Sequence, residues 1–480
     1  MAITRIILWL GNSFVFCAAL FAITAITAFV SLDITGATRM AFLTFIAGVI
    51  GAVLIAMTFN TSSRETNVEA IIFLFLFWLT VPLLTALPFV VLEGSPTYFA
   101  AYFEAVSAFT TTGASQIDAD LQRPALLFWR SLLQWFGGVC SATFAVVILA
   151  ALNLTGTGVH RSMLFTRKKG ELFARLLSIG RLVAGIYLFL STIGFIFMVI
   201  GGTPAFDAIC LSLSGISTGG LAPRTGALSL YLSPFSAMIL AVLCALGALN
   251  IAVIWDLMRG RRWIDVVRLF GNIEHRGWMV ITGLLILLSV LYIGPQFLFG
   301  LIVDSIYFTS SAGFQYDVLS IDLLPPVVLV CLALIGGSAL STAGGVKVIR
   351  ILLLLRHLGT DLSRLSHPSR ILPVTFKSSV IPDRAFLSIW MYFFGYTLCF
   401  GLGIAAFGAV GLGLEDAMTV SAATLSNMGP LLPLTLPESG LTYASFTPLQ
   451  MAVACALMLL GRVEILAAIV LFTPTFWRNT

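Results

Sequence analysis

The sequence predicts an all-α integral membrane protein of about ten transmembrane helices, and three observations support this fold class. Hydrophobic residues make up 59% and charged residues 10% of the 480-residue chain, and the mean hydropathy of +1.04 lies far above that of soluble domains. Apolar runs of roughly 18 to 25 residues, long enough to cross a hydrocarbon core about 30 Å thick, recur along the chain. Short apolar segments that end in small polar residues and glycine occur four times between these runs.

The long apolar runs are interpreted as spanning helices. They cover residues 6–30, 40–59, 69–92, 125–152, 176–201, 229–257, 277–300, 324–355, 385–410 and 445–474. The first run follows Arg5 and is longer than the apolar core of a secretory signal peptide, which favours a retained helix.

Basic residues set the predicted orientation. Most of the 26 Lys and Arg lie near residue 64, in 161–181, 259–276 and 347–384, and near 478. The positive-inside rule places these segments and Arg5 in the cytoplasm, so both termini are predicted to be cytoplasmic. The net charge of +5 is therefore attributed to membrane orientation, and no nucleic-acid partner is predicted.

The cysteines and histidines do not indicate a metal site or an enzyme. The seven cysteines fall in apolar segments without a CxxC pair, so neither a zinc site nor a disulfide framework is predicted. The four histidines are expected in solvated basic connections: His160, His275, His357 and His367. Neither a Ser/His/Asp constellation nor a phosphate-binding glycine loop is found, so no catalytic residue is predicted.

The short segments define a fourfold repeat. They read FEAVSAFTTTGAS from 103, FDAICLSLSGISTGGLAP from 206, VDSIYFTSSAGFQYD from 303 and EDAMTVSAATLSNMGPLLP from 415. Each has about 10 apolar residues before its loop, too few to span, and lies between long helices, which predicts a re-entrant helix and loop. The predicted organisation is a two-helix extension followed by four pore repeats: 1–65, 66–168, 169–265, 266–370 and 371–480.

Four loops that meet at membrane depth suit a dehydrated cation. Backbone carbonyls replace the water shell of the ion without a fixed charge that would hold it too tightly. Glycine lets a carbonyl turn inward, while Ser and Thr hydroxyls hold the outer side of the loop. The key glycines predicted from the spacing are Gly113, Gly219, Gly313 and Gly429.

An acidic residue precedes each of these glycines: Glu104, Asp207, Asp304 and Asp416. The spacing places the four near the starts of the short helices, where a carboxylate stabilises the helix dipole and caps amides. Capping is the favoured interpretation, and attraction of cations is the alternative.

The four loops, the helix order and the extra N-terminal pair resemble the TrkH/KtrB superfamily of potassium transport proteins, most closely the bacterial TrkH type. The resemblance implies a potassium filter at Thr111, Thr112, Gly113, Ser217, Thr218, Gly219, Ser311, Ala312, Gly313, Asn427, Met428 and Gly429. Potassium is predicted to be coordinated by the backbone carbonyls of Thr111, Thr112, Thr218, Gly219, Ala312, Gly313, Asn427 and Met428.

The stretch LIGGSALSTAGGVKVIR, 334–350, interrupts a long apolar run. Glycine in a helix interior costs about 1 kcal/mol relative to Ala, so the helix is predicted to break here. Close helix packing through small residues is the alternative. The resemblance implies an intramembrane gate formed by Gly336, Gly337, Ser338, Ser341, Thr342, Gly344 and Gly345.

Arg462 and Glu464 lie inside the last apolar run. A charged residue there costs roughly 2.5 to 3.5 kcal/mol on insertion scales and usually faces a cavity or a partner. A structural ion pair is one interpretation. The resemblance implies instead that Arg462 projects into the cavity below the filter, where its charge repels or regulates a passing cation.

The resemblance also implies partners. These are a second copy of the chain, with one pore per chain, and a separate cytoplasmic RCK-type subunit that binds ATP/ADP or NAD(H). The chain itself is predicted to carry no covalently bound cofactor, and potassium is the expected substrate. The connection 357–384 is either a docking segment or, as favoured, a linker that carries topology charge. Membrane lipid surrounds the chain, and the bacterial inner membrane is the implied location.

Two other functions compete with a channel-like pore. A secondary transporter with alternating access predicts inverted repeats, whereas the four units here share one orientation, which favours a pore. The sequence leaves open whether potassium movement is coupled to protons or sodium. A scaffold with a vestigial pore is the third possibility, distinguished by filter residues that tolerate replacement.

Overall fold

The computed structural model describes residues 2–58, 67–95, 97–151, 172–259, 271–317, 321–367, 375–376, 379–380, 383–435 and 440–463. Within these ranges the chain is helical apart from connections and one antiparallel hairpin, β1 Thr375–Phe376 and β2 Ser379–Val380. In the described part of the chain, six helices are long and apolar enough to cross a membrane, or seven if a bent pair counts as one span. The predicted all-α membrane fold is confirmed, while the boundaries predicted between units, at 65, 168, 265 and 370, fall outside the described residues.

Two helices precede the first loop unit, α1 Ala2–Val30 and α2 Ile34–Ala56. The carboxylate of Asp33 caps α2 by accepting a hydrogen bond from the Gly36 amide at 2.9 Å. Arg5, expected only as an orientation signal, is buried and pairs with Glu69 of the next helix at 2.8 Å. This ion pair joins the N-terminal pair of helices to the first unit.

Each of the four units begins with a long outer helix and a short pore helix. The outer helices are α3 Asn67–Thr85 continued by α4 Leu87–Val91, α7 Leu172–Ile200, α11 Ile273–Ile293 and α15 Asp383–Ala409. The pore helices are α5 Tyr98–Phe109, α8 Ala205–Ile216, α12 Leu298–Thr309 and α16 Leu414–Leu425, each of 12 residues. At about 1.5 Å per residue such a helix reaches roughly 18 Å, so it ends inside the membrane.

The inner helix that closes each unit differs from unit to unit. These helices are α6 Pro124–Ala151, α9 Pro234–Ala248 with α10 Ile251–Arg259, α13 Pro326–Ile335 with α14 Val348–Ser366, and, after the short α17 Leu431–Thr435, α18 Pro448–Arg462. The run 229–257, interpreted as one spanning helix, consists of two helices, because the chain bends by 107° between α9 and α10. Asn250 lies at the bend, where its side chain accepts from the Ala252 amide at 3.0 Å and starts α10.

The glycine-rich stretch breaks its helix as predicted. Helix α13 ends at Ile335 and α14 begins at Val348. Gly336 and Gly345 adopt φ of +74° and +76°, which residues with a side chain rarely do. The two glycines pack against each other, so the chain doubles back within the membrane segment and the alternative of a continuous close-packed helix is excluded.

Small residues on three inner helices hold the ends of the pore helices. Gly137 of α6, Gly247 of α9 and Gly461 of α18 each lie against the last carbonyl of the pore helix before them, and an added Cβ would collide with it. In the third unit the corresponding carbonyl, that of Thr309, instead accepts a hydrogen bond from the Trp278 indole at 3.0 Å. Every pore helix is thus fixed at its C-terminal end.

One histidine does not lie where the sequence analysis placed it. His275 is buried in α11, and its Nε2 accepts from the Asn250 amide at 3.3 Å, so it packs at the α9–α10 bend. His357, on α14, lies 2.9 Å from Asp361, and His367 is exposed as expected. His160 lies outside the described residues.

Candidate functional site: four pore loops and an intramembrane plug

The four pore helices end in the same backbone conformation. The second residue after each helix adopts a left-handed φ, namely Thr111 at +51°, Thr218 at +52°, Ser311 at +63° and Asn427 at +51°. A left-handed conformation is uncommon for residues other than glycine and persists only where the surroundings hold it. Its recurrence at four equivalent positions shows that one loop is built four times.

The loop register corrects the predicted glycine of the second repeat. Two residues beyond Thr111 and Ser311, Gly113 and Gly313 adopt φ of +78° and +67°. The equivalent residue of the second loop is Gly220, with φ of +79°, and not Gly219. The sequence STGG offers two adjacent glycines, and spacing alone did not distinguish them.

A second shift of one residue affects the carbonyls predicted in the third loop. Counted from the end of its helix, Ser311 and Ala312 occupy the positions of Thr111 and Thr112. The predicted pair of Ala312 and Gly313 therefore lies one residue too far along the chain. In the second and fourth loops the predicted pairs match this register.

Close contacts between the loops form a closed ring. An added Cβ on each filter glycine would collide with the following loop: Gly113 with Gly219, Gly220 with Ala312, Gly313 with Pro430, and Gly429 with Ala114 of the first loop. The order of contacts is one to two, two to three, three to four and four to one. None of the four positions has space for a side chain.

The four residues with left-handed φ differ from most buried residues in the hydrogen bonding of their backbone carbonyls. Among the residues that the structure describes, no donor is hydrogen-bonded to the backbone oxygen of Thr111, Thr218, Ser311 or Asn427. All four residues are buried. Buried carbonyls are nearly always paired, so one unpaired oxygen at the same point of each loop is a set of candidate ligands for a cation.

Three of the other predicted carbonyls accept protein hydrogen bonds. The Gly219 oxygen accepts from Gln134 Nε2 at 2.6 Å, and the Thr112 oxygen accepts from the Gly429 amide at 2.6 Å. The Met428 oxygen accepts from the Leu431 amide at 3.1 Å. A carbonyl has two lone pairs, so these bonds fix the orientation of the oxygens without excluding a cation.

Two of the four acidic residues do not lie near the start of their pore helix, where the sequence analysis placed them. Glu104 and Asp304 lie in the middle of α5 and α12 rather than near their starts. Their buried carboxylates accept hydrogen bonds from the backbone amides of Gln116 and Tyr316, each at 2.5 Å. They therefore fasten the chain that leaves the loop, and the capping interpretation is wrong for this pair.

The other two acids lie in the first turns of α8 and α16, where a carboxylate favours the helix dipole. They are Asp207 and Asp416. Asp207 also forms an ion pair with Arg224 at 2.7 Å. The position predicted for Asp207 and Asp416 is therefore correct.

Polar side chains support the ring, and the sequence analysis did not single out two of these residues, Gln134 and Tyr443. Gln134 of α6 accepts from the Ser214 hydroxyl at 2.8 Å while it donates to the second loop. Tyr443 donates to the Gly429 oxygen at 2.8 Å. Asn427 donates to the Thr112 hydroxyl at 3.0 Å and so ties the fourth loop to the first. Only long-range contacts reveal the roles of Gln134 and Tyr443, since neither residue belongs to a sequence motif.

The broken helix places a plug against the loops. We use this name for residues 336–347, the segment between α13 and α14. The Thr342 hydroxyl lies 3.1 Å from that of Thr218, in the second loop, and donates to the Gly247 oxygen at 3.2 Å. The Gly344 amide donates to the Ser311 hydroxyl of the third loop at 3.1 Å, and Gly344 packs on the Ser426 carbonyl of the fourth.

Arg462 joins the plug to the first loop. Its guanidinium donates to the Thr110 carbonyl, to the Thr111 hydroxyl and to the Thr342 carbonyl of the plug. The plug and Arg462 together therefore contact all four loops. Glu464, the partner in the alternative of a structural ion pair, lies outside the described residues.

Lys347 is a second cation at the plug. It precedes α14 with a φ of +80°, and its ammonium group donates to the Ser341 carbonyl at 3.2 Å and to the Ala343 carbonyl. Lys347 and Arg462 both line a small cavity of about 40 Å³. The φ of Lys347 is not readable from sequence, although the lysine lies within the predicted gate stretch.

Comparison with known proteins decides the class of the chain. Residues 37–289 and 305–478 match the TrkH family, described as cation transport proteins. The chain belongs to the TrkH family. The resemblance noted from the four loops is thereby confirmed, and so is the prediction of a transport protein rather than an enzyme.

Relatives in the TrkH family match nearly the full length. The Trk system potassium uptake protein TrkH of Salmonella typhimurium is 32% identical over 444 residues, 91% of each chain. The Trk system potassium uptake protein TrkG of Escherichia coli is 30% identical over 422 residues, 86% of each chain. The crystal structure of the potassium transporter TrkH from Vibrio parahaemolyticus matches with a TM-score of 0.87 and 28% identity, covering 100% of both chains.

Proposed function

We propose that this chain is the membrane subunit of a Trk-type potassium uptake system and passes potassium through the ring of four loops. One observation carries the proposal: the unpaired carbonyls of Thr111, Thr218, Ser311 and Asn427 recur at one register in all four loops. Carbonyl oxygens in a packed ring are the ligands that replace the hydration shell of potassium. The names of the relatives support potassium as the substrate.

The plug and its two cations form the gate in this proposal. The plug contacts the second, third and fourth loops, and Arg462 joins it to the first, so that it blocks the path directly below the ring. Arg462 repels a cation that leaves the ring, and its hydrogen bonds hold the plug in place. Conduction therefore requires Arg462 to release the Thr342 carbonyl of the plug. It also requires Lys347 to release the Ser341 and Ala343 carbonyls within the plug.

Rubidium and potassium uptake into liposomes that contain the purified chain tests the filter. Gly113→Ser is expected to reduce the preference for potassium over sodium by roughly tenfold, because a side chain at this left-handed position collides with the second loop. Gly185→Ser is the matched control, since no heavy atom lies within 4 Å of a Cβ there. An unchanged ion preference in Gly113→Ser would remove the first loop from the filter.

Lys347→Met is expected to raise basal rubidium flux about two- to fivefold. Methionine keeps the length of the side chain but cannot donate to the plug carbonyls, which loses net hydrogen bonds of about 0.5 to 1.5 kcal/mol each. The measurement is initial flux at matched protein density. Arg276→Met, on an exposed residue of α11, serves as the control. Flux at or below the unsubstituted level in folded Lys347→Met protein contradicts a restraining role for the lysine.

A regulatory partner fits the position of α14. This helix starts at the end of the plug and carries Arg356 near its middle and the exposed Arg364 in its last turn. A force applied to α14 by a cytoplasmic RCK-type subunit, switched by ATP/ADP or NAD(H), moves the plug directly. Copurification of the chain with a nucleotide-binding subunit tests this proposal. Substitution of the basic residues of segment 357–384 by Ala is expected to abolish the copurification if the subunit docks there.

We also propose that the protein is a homodimer with one pore per chain. It lies in the bacterial inner membrane with both termini cytoplasmic.

A further inference from the structure

A lateral groove lies away from the ring, between α1, α3, α6 and α7. Its cavity measures about 410 Å³, within the range of roughly 300 to 1,000 Å³ typical of ligand sites. The lining is mainly aromatic and aliphatic, with Phe16 of α1, Phe77 of α3, Phe136 of α6 and Leu177 of α7 among its walls. Phe16 and Leu177 are exposed by 47% and 43%, so the groove opens to the surroundings of the helices.

The polar residues that line this groove are mostly turned to their own helices. Ser13 donates to the Trp9 carbonyl at 2.8 Å, and Thr143 donates to the Val139 carbonyl at 2.7 Å. Asn12 donates likewise to the Leu8 carbonyl at 2.8 Å. The groove therefore offers a hydrocarbon surface, which suits an acyl chain and not a polar solute.

Arg181 is the exception. It lines the groove, is exposed, and forms no ion pair with any residue in the described ranges. Arg181 lies six residues (181 minus 175) beyond the start of the spanning segment Arg175–Ile200, about 9 Å along the helix. A charge at that depth is costly unless it reaches the interface or meets an anion.

We propose that the groove binds an anionic phospholipid, with an acyl chain along the aromatic wall and the phosphate on Arg181. Guanidinium groups form paired charge-assisted hydrogen bonds with phosphate oxygens. Basic residues between transmembrane helices on the cytoplasmic side are a known setting for anionic headgroups. Arg181 lies on the side of the basic connections, so the lipid comes from the leaflet that the positive-inside rule makes cytoplasmic.

The groove shares a wall with the pore. Phe144 lines both the lipid groove and the small cavity beside Arg462. Its ring packs 5.1 Å from Phe77, which in turn lies 5.7 Å from Phe109, the last residue of the first pore helix. A filled groove thus supports the aromatic packing behind the first loop. This link to transport rests on the proposed function, whereas lipid binding does not.

Native mass spectrometry of the full chain, released from nanodiscs that contain phosphatidylcholine and phosphatidylglycerol, tests the site. Arg181→Gln is expected to reduce retained phosphatidylglycerol about tenfold and to leave phosphatidylcholine unchanged, since one charge-assisted contact is lost. Arg276→Gln is the control for a loss of one positive charge elsewhere. Equal phosphatidylglycerol retention in Arg181→Gln and Arg276→Gln overturns the proposal.

Gly180→Leu tests the acyl site independently of charge. A Cβ at Gly180 makes only ordinary contacts, 3.6 Å from Thr143, and Gly180 lines the groove, so a leucine side chain is expected to occupy it. Both lipids are expected to be lost from this variant. If the dimer dissociates while lipid retention is unchanged, a second copy of the chain occupies the groove and the lipid proposal is wrong. Rubidium flux is measured in parallel, so lost binding with unchanged flux removes only the link to transport.

Discussion

Arg462→Ala is expected to raise basal rubidium flux through the reconstituted chain by roughly 10- to 100-fold. The substitution removes three donors that hold the plug against the first loop, at Thr110, Thr111 and Thr342. It also removes a positive charge from the exit of the ring. At about 7 Å and an effective dielectric constant of about 20, that charge repels a potassium ion by roughly 2.4 kcal/mol, or about 50-fold in rate.

Two variants separate charge from architecture in this prediction. Arg462→Lys keeps the charge but loses the planar set of donors, so an intermediate flux is expected. Arg356→Ala removes a cation from α14 at a distance from the plug and is expected to leave flux unchanged. Flux that stays low in folded Arg462→Ala protein rejects the gate at this arginine.

The fold class was predictable because the bilayer restricts the chain to a few solutions. Long apolar runs must be helices, since no backbone group goes unpaired in lipid, and short runs with glycine must be buried loops. The glycine content predicted the break in the run 324–355, and Gly336 and Gly345 adopt backbone angles that a helix cannot contain. These features follow from local composition and need no knowledge of tertiary contacts.

Features that depend on the register or on distant partners were not predictable from spacing. Glu104 and Asp304 looked like caps, but their carboxylates bind amides 12 residues later, at Gln116 and Tyr316. Asn250 bends an apparently continuous span because its side chain replaces a backbone acceptor. The contacts of Gln134 and Arg462 join residues 85 and 352 positions apart. Periodicity and composition contain no signal for such pairs.

The second loop gives the sharpest test of the structural register, because two adjacent glycines make opposite predictions. A Cβ at Gly220 collides with the Ala312 carbonyl of the third loop, and its φ of +79° adds a cost of about 1 to 2 kcal/mol for any L side chain. Gly220→Ala is therefore expected to reduce potassium flux and potassium preference by at least about tenfold. A Cβ at Gly219 instead meets the side chain of Gln134.

Gly219→Ala damages the loop by displacing the Gln134 side chain. A second substitution at Gln134 is therefore expected to restore transport in Gly219→Ala but not in Gly220→Ala. Gln134→Ala opens space at Gly219, and the double variant Gly219→Ala with Gln134→Ala is expected to transport better than the sum of the two single effects implies. Gln134→Ala combined with Gly220→Ala is expected to restore no transport. The Cβ at Gly220 collides with the backbone carbonyl of Ala312, which no side-chain substitution removes. Ion flux and thermal unfolding of the unsubstituted chain, the three single variants and the two double variants measure both couplings. Rescue of Gly220→Ala by Gln134→Ala would return the filter glycine to position 219.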